Sequence, residues 1–184
     1  MKHVWLYVAG LMILGIIALG TGPAVAVTGV GTNAPNPSWD QTISGSSRFI
    51  VLSNMGGKAV LDKETGLVWE QMPTSIYLTN YLWEVAQNHC NTLTTGGRLG
   101  WRLPTLQELG SLVDTSQTSP ALPVGHPFSN VQSATYWTAT SDATNSNNAW
   151  ALGFVSGGMA TLPKCCATYN YTWCVRGGQG VDPQ

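Results

Sequence analysis

The chain has 184 residues and a formal net charge of −1, and only 9% of its residues are charged. A protein so poor in lysine and arginine has no electrostatic footprint for a phosphate backbone or an anionic membrane surface, so nucleic-acid binding is excluded as a function class. Eight tryptophans beside 21 glycines fit a neutral, loop-rich extracellular domain that divides its aromatic rings between core and surface.

At the start of the chain, Lys2 precedes an apolar run from Val4 to Leu19, and Ala24-Val25-Ala26 places small residues where a signal peptidase cuts. Residues 1–26 therefore read as a secretory signal. Left uncleaved, the run approaches the roughly 20 apolar residues that span a bilayer, but Gly10, Gly15, Gly20 and Pro23 interrupt it. Membrane attachment is expected only through this segment if it stays uncleaved, and the expected location is secreted, periplasmic or cell surface. Residues 27–48 are rich in Gly, Pro, Asn and Ser and lack hydrophobic periodicity, which marks a flexible linker or arm with Trp39 as its one aromatic ring. The remainder, residues 49–180, is enough for one domain with a real core.

Within that domain, Phe49-Ile50-Val51-Leu52 is suited to a buried strand, and Ala59-Val60-Leu61 and Leu67-Val68-Trp69 flank a turn at Gly66, which predicts a hairpin. Thr79 is a plausible N-cap for a helix over Asn80 to Asn91, with Trp83, Ala86 and Cys90 on one face. The next helix is announced by Pro104, which fixes φ, and by Thr105 with Glu108 three residues on, the pattern of a capping box. Leu106, Leu109, Leu112 and Val113 give that helix an apolar stripe, and Trp101 and Leu103 lead into it from an extended approach. Asp114 to Ser133 holds three prolines and no period, so a long loop over the surface is expected. Tyr136 to Thr140, Ala149 to Phe154 and Met159 to Leu162 then predict a β-meander, and Trp173 to Arg176 a closing strand.

The usual catalytic patterns are missing: no Gly-x-Ser-x-Gly elbow, no His-Glu-x-x-His and no phosphate-binding glycine loop. No cofactor is expected. His126, between Gly125 and Pro127 with no second ligand at metal spacing, reads as a solvated or turn-capping residue. Asp142, Asn145, Asn147 and Asn148 could offer oxygens to calcium, but one carboxylate among them makes a poor site, and a polar loop is the better reading. Four cysteines in an exported chain invite disulfides. Cys90 falls on the first helix and Cys174 in the closing strand, while Cys165 and Cys166 are adjacent.

The run GWRLPTLQELGSLVD (100–114), YWTAT (136–140), AWALGF (149–154) and WCVRGG (173–178), in that order, resembles the Lcl C-terminal domain family, the end domain of a bacterial collagen-like adhesin. Asp62 to Glu70 fits that family's opening hairpin, so the resemblance covers roughly Phe49 to Gly178. It implies an α+β, C-type-lectin-like fold, with two helices packed on short antiparallel strands and long loops. It also implies a long disulfide from Cys90 to Cys174, which leaves Cys165 and Cys166 to close a strained vicinal ring, bridge to another chain or stay reduced, with the ring as the expectation. The C-terminal face that the family displays corresponds here to Asp142, Asn145, Asn147 and Asn148 together with Tyr169, Asn170 and Tyr171. Tyr supplies rigid amphipathic area and Asn adapts its hydrogen bonds, a good composition for recognition. The function expected is therefore non-enzymatic: a ligand-binding or adhesion module for an extracellular glycan or protein. A structural subunit of a filament or surface assembly, with self-assembly through the arm, is the alternative. A second is an oxidoreductase like the formylglycine-generating enzymes of the same fold, but their reactive cysteines are spaced apart, unlike Cys165-Cys166.

Overall fold

A computed structural model describes residues 43–73, 82–165 and 170–177. The expected signal segment, the arm up to residue 42 with Trp39, the Thr79-Asn80 helix start, Cys166 and Tyr169 lie outside the described residues.

The predicted hairpin forms first in the chain order. Gly66 adopts φ 71°, a left-handed conformation that glycine reaches without steric cost, and the chain reverses between β2 (Ala59–Asp62) and β3 (Val68–Glu70). β1 (Phe49–Val51) forms where a strand is expected and pairs with β2. It is an edge strand, however, and Ile50 and Val51 remain 45% and 44% exposed, so the expectation of a buried strand holds only for Phe49. Six residues that sequence places in the arm, 43–48, also join the fold. Ser44 carries the chain into a one-turn helix, α1 (Gly45–Arg48), whose last side chain is 1% exposed.

Sheet A has the order β1-β2-β3-β8-β4 and is antiparallel throughout, with β4 at Trp101–Arg102 and β8 at Val175–Arg176. The strand from the far end of the described chain thus lies between β3 and β4. The predicted meander is the second sheet, β5 (Thr135–Ser141), β6 (Asn148–Gly153) and β7 (Gly158–Pro163), also antiparallel. Two helices accompany the sheets, α2 (Trp83–Thr92) and α3 (Leu106–Gly110). The class is mixed α+β, dominated by short antiparallel strands.

Strand alternation divides the core in two. Tyr136, Leu152 and Phe154 join Trp69, Trp173, Phe128, Leu109 and Leu112 in one cluster, while Trp137, Ala149 and Ala151 join Trp101, Leu103, Met55 and the Cys90–Cys174 pair in the other. The loop from Asp114 to Ser133 departs from expectation. It carries no helix or strand, yet Ala121, Leu122 and Phe128 are buried, and Phe128 sets its edge against Trp173 at 4.8 Å and Phe49 at 5.0 Å. Isolated apolar residues among prolines leave no periodic signal, which is why this strap reads as surface.

The capping box is present. The Thr105 hydroxyl accepts from the Glu108 amide at 3.2 Å, and Glu108 Oε2 accepts from the Thr105 amide at 2.8 Å. Arg102 grips the same carboxylate with both terminal nitrogens, at 2.6 and 2.7 Å, and its Nη2 donates to the Gly177 carbonyl at 2.9 Å. Burial opposes ionisation of Glu108, but these bonds outweigh it and hold its carboxyl below the usual range. The helix is shorter than its apolar stripe suggests, since Leu112 lies beyond its end, but Leu109 and Leu112 are both fully buried, as are Trp101 and Leu103, with Leu106 and Val113 packed against them in part. Leu109→Ala should therefore lower the unfolding free energy by about 2–5 kcal/mol, read from urea denaturation. An unchanged midpoint would make α3 peripheral.

Candidate functional site

The β5–β6 turn gathers the first group of predicted ligand residues. Its conformation is set by short side chains that bond to their own loop, a habit of Asp and Asn in turns. Asp142 Oδ1 accepts from the Thr144 amide and hydroxyl, both at 2.8 Å, and Asn145 Oδ1 accepts from the Asn147 amide at 3.1 Å. The bonds from Thr144 hold the Asp142 carboxyl below its ordinary pKa. The backbone closes the loop, with the Asp142 amide donating to the Asn148 carbonyl at 3.0 Å and the Asn148 amide to the Asn145 carbonyl at 2.9 Å. Two side-chain oxygens are thereby spent on the loop itself rather than turned outward as cation ligands.

A strap across the base of this loop is absent from the sequence reading. Lys164 Nζ donates to Ser141 Oγ at 2.8 Å and to the Ser146 carbonyl at 2.9 Å, and it sits 4.2 Å from the Trp83 ring centroid. That is a cation–π distance. The Lys164 amide donates to the Asn147 carbonyl and its carbonyl accepts from the Trp83 amide, while the Trp83 indole donates to the Thr138 carbonyl at 2.7 Å. One residue thus ties the loop to the start of α2. The available signal was compositional: Lys164 is the only lysine after Lys63.

The second predicted group lies elsewhere. Tyr171 makes a parallel bridge to Tyr136, their rings 5.4 Å apart, near the start of β5. Asp142 follows the other end of that strand, on the order of 20 Å away at the rise of an extended chain. Asn170 is 8% exposed, and its Nδ2 has no partner among the described residues, so it is a buried amide rather than a displayed one. The Tyr136 hydroxyl accepts from the Gln132 amide at 2.8 Å, and burial raises its pKa. The hairpin loop and the Asn170-Tyr171 segment are consequently two surfaces, and sequence proximity to the C-terminal strands did not distinguish them.

The remaining candidates are placed as follows. Cys90 and Cys174 are bonded with Cα atoms 5.4 Å apart. Cys165 is also in a disulfide. His126 is half-buried and stacks on Phe128 at 5.8 Å, and the loss of solvent lowers its pKa, so it belongs to the loop's packing rather than to solvent. Among the described residues no group of His, Cys, Asp or Glu could hold a metal ion.

A family model described as the Lcl C-terminal domain matches residues 58–176, more than half of the chain. The chain belongs to that family. No curated protein matches it. The Lcl C-terminal domain match begins beside β2 and ends with β8, so it takes in the meander, sheet A apart from β1, α2, α3, the hairpin loop and the long disulfide. None of the described helices in this Lcl C-terminal domain protein is long and apolar enough to cross a membrane.

Proposed function

We propose that this Lcl C-terminal domain is a C-type-lectin-like binding module, secreted or displayed at the cell surface, which acts without catalysis and holds an extracellular glycan or protein at the β5–β6 loop. The observation that carries this reading is the strapped loop itself. Residues 143–147 are exposed, yet their backbone is fixed by the Asp142 and Asn145 turns and by Lys164. A polar surface ordered before the ligand arrives loses less entropy on binding. The apolar N-terminal run and the disulfide support an oxidising, extracytoplasmic setting.

The test is retention of the exported chain on arrays of glycans and of extracellular matrix proteins. Asn145→Ala combined with Asn147→Ala should weaken retention at least tenfold, equivalent to about 1.4 kcal/mol, with the unfolding midpoint unchanged. Retention equal to that of the parent would move the binding face away from the hairpin.

A further inference from the structure

The meander ends in a strand whose second side is unpaired among the described residues. β7 has β6 as its one strand partner, and its register (Ala149 opposite Leu162, Ala151 opposite Ala160, Gly153 opposite Gly158) together with the bond from the Lys164 amide to the Asn147 carbonyl fixes which groups face inward. In an antiparallel ladder the hydrogen-bonded residues alternate. Gly158, Ala160, Leu162 and Lys164 therefore point their amides at β6, and Met159 and Thr161 point theirs away. Pro163, which has no amide proton, stands at the next outward position, where nothing is lost.

Such edges are usually blunted by charge, by proline, by a bulge or by a cover. Apart from Pro163 at its end, this one shows none of these among the described residues. Residues 153–163 contain no charged side chain, the β6–β7 register is unbroken, and Met159 is 58% exposed with Val155 at 50%.

We propose that β7 is a homotypic docking edge, on which β7 of a second copy of this chain adds antiparallel about a two-fold axis at Ala160. The occupant is argued from self-complementarity. With Ala160 opposite its own counterpart, Met159 of each copy meets Thr161 of the other, and the two outward amides and two outward carbonyls on each side pair in four hydrogen bonds. Each larger side chain then faces a smaller one: Leu162 lies across from Gly158, Met159 across from Thr161, and alanine across from alanine. The nearest charges, the two Lys164 ammonium groups, stand at opposite ends of the pair, on the order of 25 Å apart along the strands, well beyond the roughly 8 Å Debye length at physiological salt. The pairing makes one six-stranded sheet across the dyad and leaves the β5–β6 loops of both copies free. It is independent of the ligand reading above and stands or falls separately.

A strand-to-strand contact of this kind lies below the roughly 1,200 Å² of a stable interface, so the association is sought by sedimentation of the exported chain at concentrations up to several hundred micromolar. A monomer–dimer equilibrium is expected. Thr161→Pro removes an outward amide and should weaken the dimer at least tenfold with little change in thermal midpoint. Met159→Lys brings two like charges to the dyad and should do the same should the proline disturb folding. Ala160→Cys places two thiols in a non-hydrogen-bonded pair, where Cα atoms are about 4.5 Å apart, and should yield an oxidised dimer, while Ser156→Cys should not. A chain that stays monomeric throughout, a dimer indifferent to both Thr161→Pro and Met159→Lys, or failure of Ala160→Cys to cross-link would overturn the proposal.

Discussion

Replacing Cys90 and Cys174 together with alanine should lower the unfolding free energy by about 4–5 kcal/mol, the chain-entropy figure for a loop of this size. The bond joins residues 84 positions apart in sequence, and it ties α2 to the chain just before β8. β8 is only two residues long, and Cys90 is one of the two buried residues of α2, with Ala86, so the bridge is a large share of what joins them. Against a total of about 5–15 kcal/mol for a domain, the loss should bring the urea midpoint far down and, at the lower end of that range, leave the chain unfolded at physiological temperature. A midpoint within error of the parent would show that sheet A closes without the bridge.

The second large effect is expected at Arg48. Its Nε and Nη2 donate to the two Asp62 oxygens at 2.7 and 2.6 Å, Nη2 also reaches the Ser111 carbonyl at 2.9 Å, and Nη1 stands 3.2 Å from Glu64 Oε2. The other Glu64 oxygen accepts from the Ile43 amide at 2.7 Å, and Asp62 also accepts from the Thr65 hydroxyl and the Glu64 amide. All three charged residues are at most 1% exposed. Arg48→Ala would strand two carboxylates without their cation in the interior, a loss of about 3–5 kcal/mol by analogy with other broken buried pairs. Arg48→Lys should fall between, because an ammonium keeps the charge and forfeits the two-pronged grip. Urea denaturation of both variants checks the ranking, and equal midpoints for Arg48→Lys and Arg48→Ala would assign the effect to geometry rather than charge.

Arg48 also shows where the sequence is opaque. It stands at the end of a polar, glycine- and serine-rich stretch, and nothing local says that its partners are fourteen and more residues downstream. Thr105 and Glu108 are the opposite case. Their pairing is completed within a single helical turn, so spacing alone reveals it, and Leu109 and Leu112 follow from periodicity. The meander was equally readable, because its strands alternate and its turns are built from Gly, Ser and Asn. What failed were features set by long-range packing: the burial of Phe128 from an aperiodic loop, the exposure of Ile50 on an edge, and the separation of Tyr171 from the Asp142–Asn148 loop. The site was legible only in part for the same reason. Asn145 and Asn147 announce a polar turn, but Lys164 and Trp83, which hold it in place, come from opposite sides of the domain in sequence.

The position of β8 has a consequence for the order of events in the life of the chain. β3 and β4 emerge early in synthesis, but the strand that belongs between them arrives only with Val175 and Arg176. Until then both present bare amide and carbonyl rows, the kind of surface on which chains stick to one another, and the contacts that close the sheet are among the most distant in sequence, which slows their formation. The domain therefore cannot mature gradually behind its own leading end. A chain that stops before Val175 would contain its hairpin and its meander and still lack the strand that joins β3 to β4.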